Sequence, residues 1–160
     1  MISTGSPTEE EEAVSAEDNK VLVRRFVDEV QSRDNTDLID EICSPEFVNH
    51  SAPPGLPADC EGIKIVTAMF RGAFPESYFS VEDMIAEGDK VVTRKTFHGI
   101  HEGEFMGIPP SGRTVNVSLI DIVRISDGLV VEHWSVGDNL GMMQQLGVVP
   151  QPGESAGPSN

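Results

Sequence analysis

The chain has 160 residues, 38% of them apolar and 24% charged, with a formal charge of −16. This describes one globular domain, with no apolar run long enough to cross a bilayer. The acidic balance argues against nucleic acid or an anionic membrane as partner, since both reward clustered Lys and Arg.

The leading stretch "MISTGSPTEEEEAVSAED" has neither the basic head nor the apolar centre of a signal peptide. It reads as a loose acidic tail over residues 1–17, and a cytoplasmic location is expected. In "EDNKVLVRRFVDEVQSRD" the apolar residues Leu22, Val23, Phe26, Val27 and Val30 recur every three or four positions, which predicts a helix capped by Ser15 or Asp18. "TDLIDEIC" predicts a second, short helix with Thr36 as N-cap and Leu38, Ile39 and Ile42 facing inward. The prolines of "SPEFVNHSAPPGLP" predict a loop. "CEGIKIVTAMFRGAF" predicts a third helix with Ile63, Val66, Met69, Phe70 and Phe74 as its buried stripe, stopped by Pro75. Cys43 and Cys60 form no metal-ligand pattern and read as reduced, partly buried thiols of a cytosolic protein.

After Pro75 the period becomes two. "YFSVEDMIAEGDKVVTRKTFHGIH" predicts two strands around Gly88-Asp89, and "TVNVSLIDIVRI" and "LVVEHWSVG" two more around Asp127-Gly128. "GEFMGIPPSGR" between the pairs is a Gly/Pro-rich loop without the Lys and helix start of a P-loop. The last residues, 150–160, are Pro/Gly/Ser-rich and read as a flexible tail, leaving one domain over 18–149. Helices followed by an antiparallel meander define an α+β fold, with the helices on one face of a curved sheet.

With Asp127-Gly128 as a two-residue loop, Val123 falls opposite Glu132, Asp121 opposite Trp134 and Val117 opposite Asp138. Strand alternation then collects Asp121, Glu132, Trp134 and Asp138 on the more apolar face, predicted to lie under the helices. Each acid there is either satisfied structurally, by backbone amides or an arginine such as Arg94, or in use. Asp138, at a strand end, is the one expected to be functional. His98 and His133 read as structural, with His133 on the opposite face. The four histidines make no HxH or HExxH pattern, so no metal is expected.

"GEFMGIPPSGRTV" followed by "DIVRISDGLVVEHWSVGDNLGMMQQLG" resembles the SnoaL-like polyketide cyclase (ester cyclase-like) family of the nuclear transport factor 2-like superfamily. "FVNHSAPPGLP", "AMFRGAFPE" and "VEDMIAEGDKVVTR" fit the same pattern, and the likeness spans Asn19 to Val149. The resemblance implies a cone-shaped α+β barrel, its curved mixed or antiparallel sheet wrapped around three N-terminal helices, assembled as a homodimer or homotetramer. It implies closure of a ring in a polyketide-like small molecule by intramolecular aldol condensation, without metal or organic cofactor. It also implies that Asp138 is the acid/base residue and that His50, His101 and Asn49 line the same pocket as donors. Trp134, Phe105, Met69 and Phe97 are candidates for its walls, and Asp121 and Arg94 for further contacts. Epoxide opening, by a cyclase or hydrolase of the same fold, and non-catalytic binding are the alternatives. The acid–Arg–acid set of an epoxide hydrolase is not found here, because Leu119 and Val123 flank Asp121 at the spacing that set would need.

Overall fold

The computed structural model describes residues 5–153; the ends of both expected tails, residues 1–4 and 154–160, lie outside the described residues. Helix α1 spans Glu9–Arg25. It begins inside the stretch expected to be a loose lead-in, where Glu and Ala are good helix formers and acids suit a helix N-terminus. A π-turn over Phe26–Gln31 comes next, with the Ser32 N–H donating to the Val27 carbonyl five residues back. Val23, Val27 and Val30 of the expected stripe are buried. Helix α2 (Asp37–Ile42) buries Leu38, Ile39 and Ile42, but Thr36 makes no side-chain cap.

Strand β1 (Cys43–Asn49) occupies the first half of the predicted loop. Pro45 hides it from a pattern reading, because proline in a strand is tolerated only where no ladder bond is needed; β1 is an edge strand. Helix α3 (Cys60–Ala73) starts on Asp59, whose carboxylate accepts the Gly62 N–H. Gly62 is required there: a Cβ would stand 1.9 Å from the Pro57 carbonyl oxygen. Strands β2 (Tyr78–Glu87) and β3 (Lys90–Ile100) turn at Gly88. Strands β4 (Thr114–Ser126) and β5 (Leu129–Gly137) turn at Asp127 and Gly128, which both hold positive φ as a type I′ turn demands. A fourth helix that the pattern reading did not anticipate, α4 (Asn139–Gln145), closes the fold. The sheet order is β1-β5-β4-β3-β2, antiparallel except for β1, which runs parallel to β5.

One face of this curved sheet carries the core. Phe97 of β3 and Val115 and Val117 of β4 pack with Phe74 and, from α4, Met142. Val91 and Ile125 pack against Val23 of α1. A third cluster joins Val30, the α2 side chains and Phe47 of β1. Between these apolar ends, the same inner face carries Thr93, Lys95 and Asp121, all buried.

Cys43 and Cys60 are joined in a disulfide, which corrects the expectation of two free thiols. The pairing brings the start of β1 to the start of α3, with Cα atoms 6.2 Å apart, a separation a disulfide spans. Closing this 17-residue separation restricts the unfolded chain. Cys60→Ser is therefore expected to lower stability by about 3 kcal/mol. Urea unfolding of oxidised wild type and variant measures it; equal midpoints would show that the link contributes nothing.

Candidate active site

The inner face of β5 is set by a bulge. Next to the turn, Ser126 pairs with Leu129 and Ile125 with Val130, as the alternation predicts. Then the register shifts: Arg124 pairs with Glu132, Val123 with His133, Ile122 with Trp134 and Asp121 with Ser135. Val131 is the extra residue. One residue inserted in one strand moves every later side chain to the other face. The expected interior set of Asp121, Glu132, Trp134 and Asp138 is thereby corrected. Only Asp121 stays inside, and His133, read as outward, turns in beside it.

Asp121 is the centre of a buried polar chain that crosses the sheet. Its Oδ2 accepts from Lys95 Nζ at 2.5 Å, and its Oδ1 lies 3.4 Å from His133 Nε2. Lys95 also donates to Gln31 Oε1 at 2.7 Å and rests 4.7 Å from the centre of the Phe79 ring. His133 Nδ1 lies 2.9 Å from Asn49 Oδ1. That same oxygen accepts the backbone N–H of Ser51 at 3.0 Å. A backbone N–H can only donate, so the Asn49 atom is an oxygen and the His133 proton facing it sits on Nδ1. Nε2 therefore faces the Asp121 carboxylate, and it donates to that carboxylate when the ring carries a proton on both nitrogens.

Burial alone would raise the Asp121 carboxyl, but the Lys95 charge and the His133 hydrogen bond outweigh it and hold the group well below the usual carboxylate range. Asp121 is thus a fixed anion. Side-chain exposure grades along the chain, from 1% at Lys95 and 8% at Asp121 to 25% at His133. His133 is the member of the three that an incoming molecule can most readily touch.

The other expected site residues separate by face. On the outer face, His50 stacks on Trp134 (ring centres 4.8 Å apart, planes 9° apart) and meets Glu132 at 2.7 Å. Arg124 holds the other Glu132 oxygen at 2.5 Å, and the His50 and Arg124 hydrogen bonds lower that carboxyl. The bulge corrects the interior placement of Glu132 and Trp134, and His50, which follows β1, lies with them on the outer face. Arg94 is exposed and paired with Asp83 across β2 and β3, not with an interior acid. Asp138 is exposed and caps α4, accepting the Gly141 N–H at 2.9 Å. It stands at an open outer depression of about 380 Å³ shared with Arg94, Thr96, Ile120 and Val136. Its expected burial is therefore corrected as well. Met69 is 40% exposed on α3 and leaves the buried stripe.

His101, Phe97 and Phe105 are interior, as expected. His101 is fully buried and packs on Phe74, with ring centres 5.5 Å apart. Its Nδ1 accepts from the Ser111 backbone N–H at 3.2 Å, so its ring proton is on Nε2, which is buried without a partner. It lies six residues beyond Lys95, about 20 Å along an extended strand. His101 thus belongs to the aromatic end of the interior rather than to the Asp121 centre.

Pattern reasoning missed Gln31, Lys95 and His133. Lys95 did carry a signal: Val91, Thr93, Lys95 and Phe97 share one face of β3, and all four are buried. A lysine on such a row requires a buried acid partner. Among the described residues, no three His, Cys, Asp or Glu side chains gather as metal ligands do, and no helix is long and apolar enough to cross a membrane.

Residues 21–146 match the family model for SnoaL-like polyketide cyclase. The aklanonic acid methyl ester cyclase DnrD of Streptomyces peucetius is 31% identical over 129 residues, covering 79% of this chain and 88% of that protein. The nogalonic acid methyl ester cyclase of Streptomyces nogalater is 28% identical over 114 residues, covering 70% and 85%. Among solved structures, TsrD from Streptomyces laurentii superposes with a TM-score of 0.76 at 32% identity, covering 83% of this chain and 97% of that one. IdmH from Streptomyces antibioticus gives 0.71 at 34% identity, covering 81% and 99%. A family match over most of the chain, and relatives of this length and identity, settle the assignment: the chain is a cyclase enzyme of the SnoaL-like polyketide cyclase family.

Proposed function

We propose that the enzyme closes a ring in an ester-bearing polyketide by intramolecular aldol condensation, and that His133 and Asp121 handle the proton. The observation that carries this reading is the Asp121–His133 contact, with the His133 tautomer fixed by Asn49 and the Asp121 charge fixed by Lys95. His133 Nε2 takes a proton from a carbon flanked by carbonyl groups. The carbanion attacks a ketone carbon of the same molecule, a carbon–carbon bond forms, and the carbonyl electron pair moves to oxygen. His133 returns its proton to that oxygen, so atoms and charge balance and nothing is oxidised or reduced. The fixed Asp121 anion holds the ring in place and faces the charge it gains, as suits general acid/base work. Holding donor and acceptor carbons together beside His133 supplies the proximity. No metal or organic cofactor takes part in this scheme.

The relatives' names point to the substrate to try first. Incubation of the protein with aklanonic acid methyl ester, in the presence of a chelator and without added cofactor, is expected to yield a product of unchanged mass containing a new ring. A product heavier by one water, or turnover only on adding metal or nicotinamide, would overturn the reading.

The same reading includes self-association. The outer sheet face exposes Ile120 (47%) and Val136 (79%) beside Trp134, an apolar patch suited to a second copy. Sedimentation equilibrium is expected to give a homodimer or homotetramer, and to give a monomer for Val136→Glu; a monomeric wild type would contradict it.

A further inference from the structure

We infer that Gln31 is a positioning residue for the proton-handling pair, delivered to it by the π-turn at the end of α1. The inference rests on the Asp121–His133 reading and extends it to a residue that contacts neither reacting group.

The geometry runs from backbone to carboxylate. Gln31 ends the Phe26–Gln31 π-turn. A π-turn holds one residue more than an α-turn, which rotates the residues after it by about 100° relative to an uninterrupted α-helix. The Gln31 backbone is then clamped from α3: Arg71 Nη2 donates to its carbonyl at 3.2 Å, while Arg71 Nη1 is tied to the Pro75 and Ser77 carbonyls at 2.8 and 3.2 Å. With the backbone fixed, the side-chain oxygen reaches Lys95 Nζ at 2.7 Å.

Lys95 needs that acceptor. Its ammonium has three N–H groups, and its surroundings offer three partners: Asp121 Oδ2, Gln31 Oε1 and the face of Phe79. At 1% exposure it has no route to bulk water. Removing the Gln31 oxygen leaves one buried N–H unpaired, a cost the side chain escapes by turning away or by losing its proton. Either response weakens the cation at Asp121. The charged groups that face Asp121 are Lys95 from β3 and His133 from β5, so a weaker Lys95 leaves burial less opposed and the carboxyl must move up.

The test is a pH titration of the Asp121 carboxyl by carbon-13 NMR in wild type, Gln31→Leu and Gln31→Asn, paired with pH profiles of kcat. Leu removes the acceptor, and Asn keeps the amide one methylene short of Lys95. Both are expected to move the Asp121 titration upward and to lower kcat roughly tenfold to a hundredfold with a smaller change in KM. A merely structural role would lower the melting temperature and leave the titration where it is. Titrations in both variants that coincide with wild type would overturn the inference. The NMR comparison uses no substrate, so it stands even if His133→Asn proves fully active and the acid/base reading fails.

Discussion

Asp121→Asn is expected to abolish most activity and to destabilise the fold. The buried partner sets the second effect. Lys95 would be left at 1% exposure with no anion beside it, and removing one member of a buried pair costs about 3–5 kcal/mol. Turnover should fall roughly a hundredfold or more, because the anion facing His133 is gone. Replacing both partners, as Lys95→Met with Asp121→Leu, should restore stability, since a well-packed apolar pair often matches a buried ion pair, while activity stays lost. The pH dependence has a definite sign. The Asp121 carboxyl is lowered in the folded state, so its stabilisation is fully present above the ordinary carboxylate value of about 3.9. It is lost only as pH falls through the lower folded value. Urea melts from neutral pH downward should show a constant gap between wild type and Asp121→Asn at neutral pH, closing only in strong acid. A gap already closed at pH 5 would contradict the ion pair.

His133→Asn is expected to give the largest purely catalytic loss, roughly 10² to 10⁴ in kcat. The fold should survive, because the side chain is a quarter open and its partners Asn49 and Asp121 are each held by other contacts. Asp138→Asn is the matched control. Asp138 is exposed and caps α4 through one hydrogen bond, and Asn caps a helix as well as Asp does. Both its stability and its turnover should stay near wild type. Activity lost with Asp138→Asn and retained with His133→Asn would reverse the assignment.

The first three helices and the two hairpins were legible because their apolar periods and turn residues act locally. Leu38, Ile39 and Ile42 turn inward on α2 as their spacing requires, and Asp127-Gly128 makes the turn that only residues tolerant of positive φ make readily. Strand β1 was hidden by Pro45, since nothing local says that the strand will sit at an edge. The inner and outer faces of β5 were misread for a sharper reason. A bulge at Val131 leaves no mark on composition, yet it exchanges the faces of every residue after it. The error was reinforced by assuming that the more apolar face lies inside. On β5 the apolar residues Trp134 and Val136 face outward, and the inner positions His133, Ser135 and Gly137 are polar or small. A strand whose inner positions are polar and whose outer positions are apolar inverts the usual pattern. Asp121 was placed correctly because it lies on β4, the regular strand of the pair. The family resemblance held for the fold; the role it carries to Asp138 rests on the place of that residue just after the tryptophan-bearing strand, which the bulge does not change, and the Asp138→Asn and His133→Asn pair tests it.

The most direct measurement is exchange of the substrate's carbonyl-flanked hydrogen with deuterium from solvent, monitored together with ring closure, because it reports the first proton transfer itself. Wild type and Asp138→Asn are expected to catalyse exchange and closure alike, and His133→Asn neither. Exchange by His133→Asn at the wild-type rate would contradict the central claim that the bulge-directed His133, poised on Asp121, moves the proton.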